Sequence, residues 1–143
     1  MLTIATAALH LAVLAGAPAA PGSGCGAQPR ETVLCWFAAF NRHDAAAIER
    51  LYAPDAVLRD PDHRMLRGNK PIAATYRSLF RHIPDVHDRL LHVDVAGRRV
   101  YVEFISTGSS GGKTFHLPIL SVLTVEGGRI VEDSTYFDRQ ATG

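Results

Sequence analysis

Residues 51–61 constrain the fold of this 143-residue chain more than any other stretch. The run Leu-Tyr-Ala-Pro-Asp-Ala-Val-Leu-Arg-Asp-Pro passes from an apolar helical pattern, through a proline, into a strand that ends at the carboxylate Asp60. A carboxylate at the end of a strand that opens into a pocket can accept and release a proton. The run therefore predicts that a helix and a strand meet at an acidic site.

Three one-sided helices are predicted before the main run of strands. Pro29 can open the first, Asp44 is expected to cap a second that Pro54 ends, and Asn69 is expected to cap the third. The apolar residues at helical spacing in the first helix are Val33, Trp36, Phe37 and Phe40.

From Val86 onward the apolar period changes to two, which predicts an antiparallel sheet. In the first of these strands Leu91, Val93 and Val95 alternate with polar residues. Glycine-containing turns at 109–112 and 126–129 set off a long strand from Thr114 to Val125 and a last strand from Ile130 to Phe137. Helices followed by a meander of strands predict an α+β fold.

This order of elements resembles the nuclear transport factor 2-like superfamily, and within it the ketosteroid isomerase and SnoaL-like branch. The residues that carry the resemblance are 41–44 (Asn-Arg-His-Asp), 51–61, Gly68 and 128–130 (Gly-Arg-Ile), and the likeness covers about Glu31 to Phe137. The resemblance implies a conical α+β barrel, in which about three N-terminal helices pack on a curved antiparallel sheet around a pocket. The domain is placed at residues 29–138.

The resemblance also implies roles for particular residues. In the isomerase pattern the aspartate of the Asp-Pro pair is the general base, which is Asp60 here. The same pattern needs a tyrosine and a protonated aspartate to stabilise an oxyanion, and those positions hold Trp36 and Leu120. Trp offers one N–H donor and Leu none, so authentic ketosteroid isomerase activity is not expected. Tyr52 and Tyr76 match two supporting tyrosines, and either serve Trp36 or are core aromatics.

Strand alternation adds further candidates for the pocket. His116 is four residues before Leu120, which places both on the same predicted face of the strand. Because histidine can gain or lose a proton near neutral pH, His116 is the best candidate for a second polar group in the pocket. Asp133 supplies a second carboxylate or pairs with an arginine. The other expected lining residues are Val102, Phe104 and Phe137.

Two functions stay open at this point, with a third that is compatible with both. One is a cofactor-independent isomerase, cyclase or hydratase that acts on a small hydrophobic substrate with Asp60 as base and with His116 or Trp36 steadying the charge. The alternative is a protein that binds a small hydrophobic molecule without altering it. The outer face of the sheet, with Tyr101, Glu103 and Ile105, is expected to form a homodimer or to bind a partner protein.

Composition and charge restrict the partners. With 47% hydrophobic residues and a formal net charge of +1, the chain fits one domain, and it has no block of Lys and Arg that would indicate nucleic acid. The cluster of Asp60, Asp62 and His63 is only a weak indication of a metal site. Ordinary ion pairs with nearby arginines explain the cluster better. No metal and no cofactor are predicted.

The N-terminal segment predicts export. Residues 1–20 lack charged side chains and end near small residues at A-x-A spacing, which is typical of a signal peptide. Residues 21–28 are a linker, 139–143 a tail, and the mature chain is expected to have no membrane span. The protein is thus expected to be secreted or periplasmic, or cytoplasmic if the start is mis-assigned. Cys25 and Cys35 can form a disulfide in an exported protein, although a buried thiol at Cys35 is the preferred interpretation.

Overall fold

The computed structural model of the protein describes residues 25–138. The predicted signal peptide (1–20), the first half of the predicted linker (21–24) and the tail (139–143) lie outside the described residues. The elements are α1 (Pro29–Asn41), α2 (Ala45–Leu51), β1 (Tyr52–Arg59), β2 (Leu66–Arg67), α3 (Asn69–His82), β3 (His87–Ala96), β4 (Arg99–Ser110), β5 (Lys113–Glu126) and β6 (Arg129–Tyr136). Helices packed on a sheet confirm the predicted α+β class.

The six strands form one sheet in the order β2-β1-β6-β5-β4-β3. All neighbours are antiparallel except β1 and β6, which run parallel, so the sheet is mixed rather than wholly antiparallel. The register slips within the β1–β6, β3–β4 and β5–β6 pairs. Such bulges bend strands, and a bent sheet can enclose a pocket against its helices.

The helices cover one face of the sheet, which we call the inner face. α1 packs against β3, β4 and β5, while α2 and α3 pack against each other and against β1. The predicted helical stripe of α1 is confirmed, because its four apolar residues are all buried in the core. No helix within residues 25–138 is long and apolar enough to cross a membrane.

Residues 41–44 tie the end of α1 to the start of β3. The Asn41 side-chain amide donates to the carbonyl of Asp88 and accepts from its N–H, both at 2.8 Å. His43 adopts a left-handed φ of 55° after the helix, and its Nε2 lies 2.9 Å from the carbonyl oxygen of Val86. Asp44 accepts from the N–H of the third residue of α2 at 2.9 Å, which confirms the predicted cap. This segment therefore fixes the backbone of Asp88.

Two predicted helix boundaries are wrong. α2 ends one residue before Tyr52, so Tyr52 opens β1 and Pro54 lies inside that strand, where the register with β6 slips. α3 is capped by Gly68 rather than Asn69. Gly68 has a φ of 97°, and its N–H donates to the carbonyl of Ala56 at 2.8 Å. Glycine tolerates this conformation, which side chains disfavour.

The prediction of which β5 residues face the inner side of the sheet is wrong by one residue. Leu117, Ser121 and Leu123 are buried on the inner face, so His116 and Leu120 point to the outer face. Apolar residues occupy both parities between 115 and 123, and pairing with β4 settles the phase, because Ser121 lies opposite the buried Val102.

The alternation predicted for β3 does not give its buried face. Leu91 and Val95 are exposed by 42% and 46%, whereas Val86 and Asp88 are buried near the start of the strand. The bulge between Leu90 and His92 shifts the alternation, which a regular period of two does not predict.

A disulfide joins Cys25 to Cys35, with the two Cα atoms 5.9 Å apart. The preferred interpretation of a free thiol at Cys35 is therefore wrong. The bridge links the segment before α1 to the half-buried side of that helix.

Replacing both cysteines by alanine is expected to lower the free energy of unfolding by about 2–3 kcal/mol, because the bridge closes a short loop in the unfolded chain. Urea unfolding with and without a reductant measures the effect. The reductant should not change the double variant, and an unchanged midpoint for the reduced wild type would contradict the prediction.

Candidate active site

A cavity of about 620 Å³ lies between the helices and the inner face. Its aromatic lining includes Trp36, Phe40, Tyr76, Phe104, Phe115 and Phe137. Three carboxyl groups that are wholly or partly buried also line it, those of Asp60, Asp88 and Asp133. Acidic groups within aromatic walls favour a small ligand that is mostly apolar and carries a few polar groups.

The structure brings most of the predicted site residues together, although not all of them. Trp36, Asp60, Tyr76, Phe104, Asp133 and Phe137 line the cavity. Tyr52 is fully buried directly behind Asp133, and Val102 is fully buried in the core. His116 is exposed and Leu120 is 39% exposed on the outer face, so neither reaches the cavity.

Asp133 is held in β6 by a network of hydroxyl groups. Tyr52 donates to its Oδ2 at 2.5 Å and Thr135 to its Oδ1 at 3.0 Å, while Thr135 Oγ1 lies 2.6 Å from Ser121 Oγ. Asp133 therefore makes these hydrogen bonds instead of the predicted alternative, an ion pair with an arginine. Burial raises the pKa of the Asp133 carboxyl to about 6, against the lowering effect of its two hydroxyl donors. Asp133 can therefore hold or release a proton near neutral pH.

The two tyrosines form a chain that ends at Asp133. The hydroxyls of Tyr76 and Tyr52 are hydrogen-bonded, and that of Tyr52 donates on to the carboxylate. Burial, followed by the negative charge of Asp133, raises the pKa of both tyrosines well above the usual value, so both stay protonated. The tyrosines do not hydrogen-bond to Trp36, whose Nε1 has no partner in the protein.

Asp60 follows β1 and turns the chain at the rim of the cavity. Its Oδ1 accepts from the backbone N–H groups of Asp62 at 2.8 Å and His63 at 2.6 Å, and the His63 ring nitrogen Nδ1 lies 3.1 Å away. Its side chain is 16% exposed. Leu58 pairs with Asp133 in the parallel register, so Asp60, two residues on, lies on the same face beside it. The charge of Asp60 adds to the raised pKa of Asp133.

Sequence reasoning missed Asp88. It is 4% exposed, burial raises its pKa to about 7, and Ser106 is a hydrogen-bond donor to the carboxyl group. Its Oδ1 has no partner in the protein. One sequence feature could have identified Asp88: it comes two residues after the apolar Val86, which places both side chains on the same, inner face.

The described residues do not form a metal centre. No group of three His, Cys, Asp or Glu side chains between residues 25 and 138 is arranged to hold an ion. The Asp60 carboxylate and the His63 ring instead interact with each other.

Comparison with known proteins identifies similar families and structures. The profile of the SnoaL-like domain family matches residues 33–133. Among solved structures, a loop-truncation variant of IdmH is 26% identical to this chain, with a TM-score of 0.72. The match covers 80% of this chain and 96% of that one. Wild-type IdmH is a proposed polyketide cyclase from Streptomyces antibioticus. A comparison with curated proteins gave no significant match.

Two further solved structures share the fold. A protein of ketosteroid isomerase-like fold from Catenulispora acidiphila, in complex with trimethylamine, is 24% identical, covering 78% of this chain and 88% of that one, with a TM-score of 0.74. A proposed SnoaL-like polyketide cyclase from Jannaschia sp. CCS1 is 21% identical over 80% of this chain and 88% of that one, with a TM-score of 0.73. Both are similar enough in structure to support the nuclear transport factor 2-like fold.

Proposed function

Because the chain belongs to the SnoaL-like domain family, we propose that it is a cofactor-independent enzyme of the isomerase, cyclase or hydratase type. The proposed substrate is a small, mostly apolar molecule with a C–H bond next to a carbonyl group. The observation that carries the proposal is the adjacency of two carboxyl groups, Asp60 and Asp133, on the wall of one aromatic cavity.

Asp60 is the proposed general base. Two backbone N–H groups hold its Oδ1, and the His63 ring nitrogen lies near both carboxylate oxygens, which fixes the group at the rim of the cavity. The carboxylate takes the proton from carbon, the electron pair of that bond moves into the carbonyl, and an enolate forms. The reaction ends when the proton is returned to a different carbon of an enolate that is conjugated with a C=C bond, or when the enolate carbon attacks an electrophile in the same molecule.

Asp133 is the proposed partner in proton transfer. The pKa of about 6 allows it to hold a proton near neutral pH, and the Tyr76–Tyr52 chain can adjust its hydrogen bonds as that proton leaves. A pair of acids in different environments, one partly buried in a turn and one fully buried and hydrogen-bonded to a tyrosine, suits a reaction that both removes and returns a proton.

Deuterium exchange tests the proposal. The protein is incubated in D₂O with small molecules extracted from its own purified preparation, and mass spectrometry identifies those that gain deuterium. Asp60→Asn is expected to slow the gain by about 10²–10⁴-fold, because proton transfer by a positioned group contributes that much. Asp55→Asn, an exposed change in β1, the strand that Asp60 follows, is the matched control and should exchange at the wild-type rate. An undiminished rate in Asp60→Asn would overturn the proposal.

The alternative is a binding protein, and one observation favours it. Leu120, which the resemblance matched to the acid of the oxyanion hole, lies on the outer face of the sheet, so that position supplies no acid to the cavity. A carrier predicts that the same unchanged molecule is recovered from the wild type and from Asp60→Asn, with no deuterium in either. A product in the wild type alone would exclude a passive role.

We also propose a homodimer through the outer face of the sheet. Leu91, Leu120 and Tyr136 are exposed there by 42%, 39% and 59%, and Leu120 pairs directly with Tyr136. Light scattering of the wild type and of Leu120→Glu tests this proposal. A monomeric wild type would reject it, and a charge at the centre of the patch should dissociate the dimer.

Export remains a proposal that the Cys25–Cys35 disulfide supports, because structural disulfides persist mainly in oxidising compartments. A fusion of residues 1–28 to a reporter that is active only outside the cytoplasm tests it. An inactive but stable fusion would argue against export.

A further inference from the structure

The Asp133 carboxyl is shielded from a ligand by its hydrogen-bond partners. The residue is 2% exposed, and the hydroxyls of Tyr52 and Thr135 donate to its Oδ2 and Oδ1. Tyr52 is fully buried and Ser121 is 5% exposed, whereas Thr135 is only partly buried and lines the cavity. Thr135 therefore carries the hydroxyl of this network that is most open to a ligand.

The state of Asp133 decides where the Thr135 hydrogen points. A hydroxyl has one hydrogen and two lone pairs. While Asp133 is ionised, Thr135 donates its hydrogen to Oδ1 at 3.0 Å, so Ser121 must be the donor in the 2.6 Å contact between the two hydroxyls. Because Tyr52 donates to Oδ2, a proton that Asp133 gains belongs on Oδ1. Both lone pairs of Thr135 then accept, from Asp133 and Ser121, and its hydrogen is free for a ligand.

Thr135 also lies next to the proposed base. β1 and β6 run parallel, and Arg59 at the end of β1 is opposite Ser134. One further step in that register places Asp60 opposite Thr135, at the spacing of neighbouring strands, which is about 4.8 Å. Both residues line the cavity. A C–H bond and a carbonyl group on adjacent carbons of one ligand can therefore contact Asp60 and Thr135 at the same time.

We propose that the Thr135 hydroxyl, backed by protonated Asp133, donates a hydrogen bond to the carbonyl oxygen of the substrate while Asp60 takes the proton from the adjacent carbon. The bond strengthens as negative charge develops on that oxygen. Full transfer moves the Thr135 hydrogen to the oxygen and the Asp133 proton to Thr135, which leaves an enol, an intact hydroxyl and an ionised Asp133. The inference rests on the proposed function, and it supplies the donor that Leu120 cannot.

A ketone of the proposed substrate class tests the contact. 2-Tetralone is small and mostly apolar, has acidic C–H bonds next to its carbonyl group, and can be labelled with carbon-13 at the carbonyl carbon. A hydrogen bond to the oxygen moves the carbon resonance of the bound ketone downfield. We expect that shift in the wild type at pH 5, where Asp133 with its pKa of about 6 is mostly protonated, and its loss at pH 8.

The surroundings of Asp133 leave one other group that could impose a pH dependence. Tyr52 on β1 and Tyr76 on α3 act on Asp133 but stay protonated, and β5 presents the uncharged Leu123 opposite it. Asp60 is the remaining charged neighbour. Asp60→Asn should therefore keep the carbonyl shift at pH 5 and its loss at pH 8.

Four variants complete the test. Thr135→Val removes the hydroxyl at similar shape; it should abolish the shift and slow deuterium exchange into 2-tetralone at pH 6 by about 10²–10³-fold, the effect of losing one oxyanion donor. Thr135→Ser should recover most of both. In Asp133→Asn the amide N–H can donate to Thr135 as the neutral acid does, so the shift should persist at pH 8 even if Thr135→Val fails to fold. Thr124→Val, on the outer face of β5, is the matched control and should behave as the wild type.

The outcomes separate this inference from the proposed function. Failure of the wild type to bind the ketone, an unshifted carbonyl resonance at pH 5, or a shift that survives in Thr135→Val would overturn the inference. Slow exchange in Asp60→Asn together with wild-type exchange in Thr135→Val would also reject it, while leaving the proposed base in place. Undiminished exchange in Asp60→Asn, together with a shift that depends on Thr135, would overturn the proposed function and leave the contact standing.

Discussion

Asp88→Asn is expected to stabilise the protein by about 2–4 kcal/mol at pH 8 and to change its stability little at pH 4. Burial raises the pKa of this carboxyl from the usual 3.8 to about 7, so the folded state favours the protonated form. The stabilisation linked to that proton is complete below about pH 3.8 and is lost as the pH rises through 7. A difference of about three pKa units corresponds to roughly 4 kcal/mol at most. Asparagine is neutral at every pH and avoids the loss.

Urea unfolding at pH 4, 6 and 8 measures the effect through the shift in midpoint at constant slope. Asp94→Asn, an exposed change on the same strand, is the matched control and should show no such pH dependence. Asp133 is common to wild type and variant, so its own titration cancels in the difference. A variant less stable than the wild type at pH 8, or a gain of the same size at pH 4, would contradict the prediction.

An ionisable group that destabilises its own fold at neutral pH needs an explanation outside folding. Asp88 has one carboxyl oxygen without a partner, and its backbone is fixed on both sides by Asn41. Residues that reduce stability in this way are often retained for binding or catalysis. A stabilised Asp88→Asn variant would therefore favour a ligand-binding role for Asp88 over a structural one.

The parts of the fold that local chemistry dictates were predictable from the sequence. The stripe of Trp36, Phe37 and Phe40 has helical spacing, and Asp44 has a side chain suited to capping α2. Asp60 was placed at the end of β1 because a Pro-containing apolar run stops there. These features depend on residues close together in the chain, so one sequence is enough to find them.

The errors concern long-range pairing. His116 and Leu120 were assigned to the cavity because apolar residues occupy both faces of β5, and only the pairing of Ser121 opposite Val102 decides which face is buried. A slip of one residue moves every side chain to the other face. Asp88 was missed for a related reason, since the bulge after Leu90 hides the alternation that places Asp88 inside.

The sequence predicted most residues of the candidate site but not the hydrogen bonds between them. Tyr52, Tyr76 and Asp133 were each identified from the resemblance and strand parity. Their hydrogen-bonded chain depends on the parallel pairing of β1 with β6. That pairing brings the hydroxyl of Tyr52 to 2.5 Å from Oδ2 of Asp133, which is 81 positions later in the sequence. Nothing local in the sequence specifies that pairing.

Tyr52→Phe is expected to lower the free energy of unfolding by about 1.5–3 kcal/mol at pH 8, and by about 1 kcal/mol at pH 5. The Tyr52 hydroxyl donates to the Asp133 carboxylate at 2.5 Å and lowers the pKa of that group, although burial still raises it to about 6. Without the hydroxyl the pKa rises further. Above pH 6 the variant loses a hydrogen bond to a charge, whereas below it the lost bond is to a neutral carboxyl, which is weaker.

Carbon NMR of the Asp133 carboxyl and urea unfolding at the two pH values check this prediction together. Tyr136→Phe removes an exposed hydroxyl on the same strand as Asp133 and should leave both measurements unchanged. Equal losses at pH 5 and pH 8, or an unmoved pKa, would show that Tyr52 does not stabilise the ionised form. The proposed proton transfer also predicts that the pH at which deuterium exchange changes most steeply moves upward with the Asp133 pKa. A shift in pKa without that movement would assign the exchange to Asp60 alone.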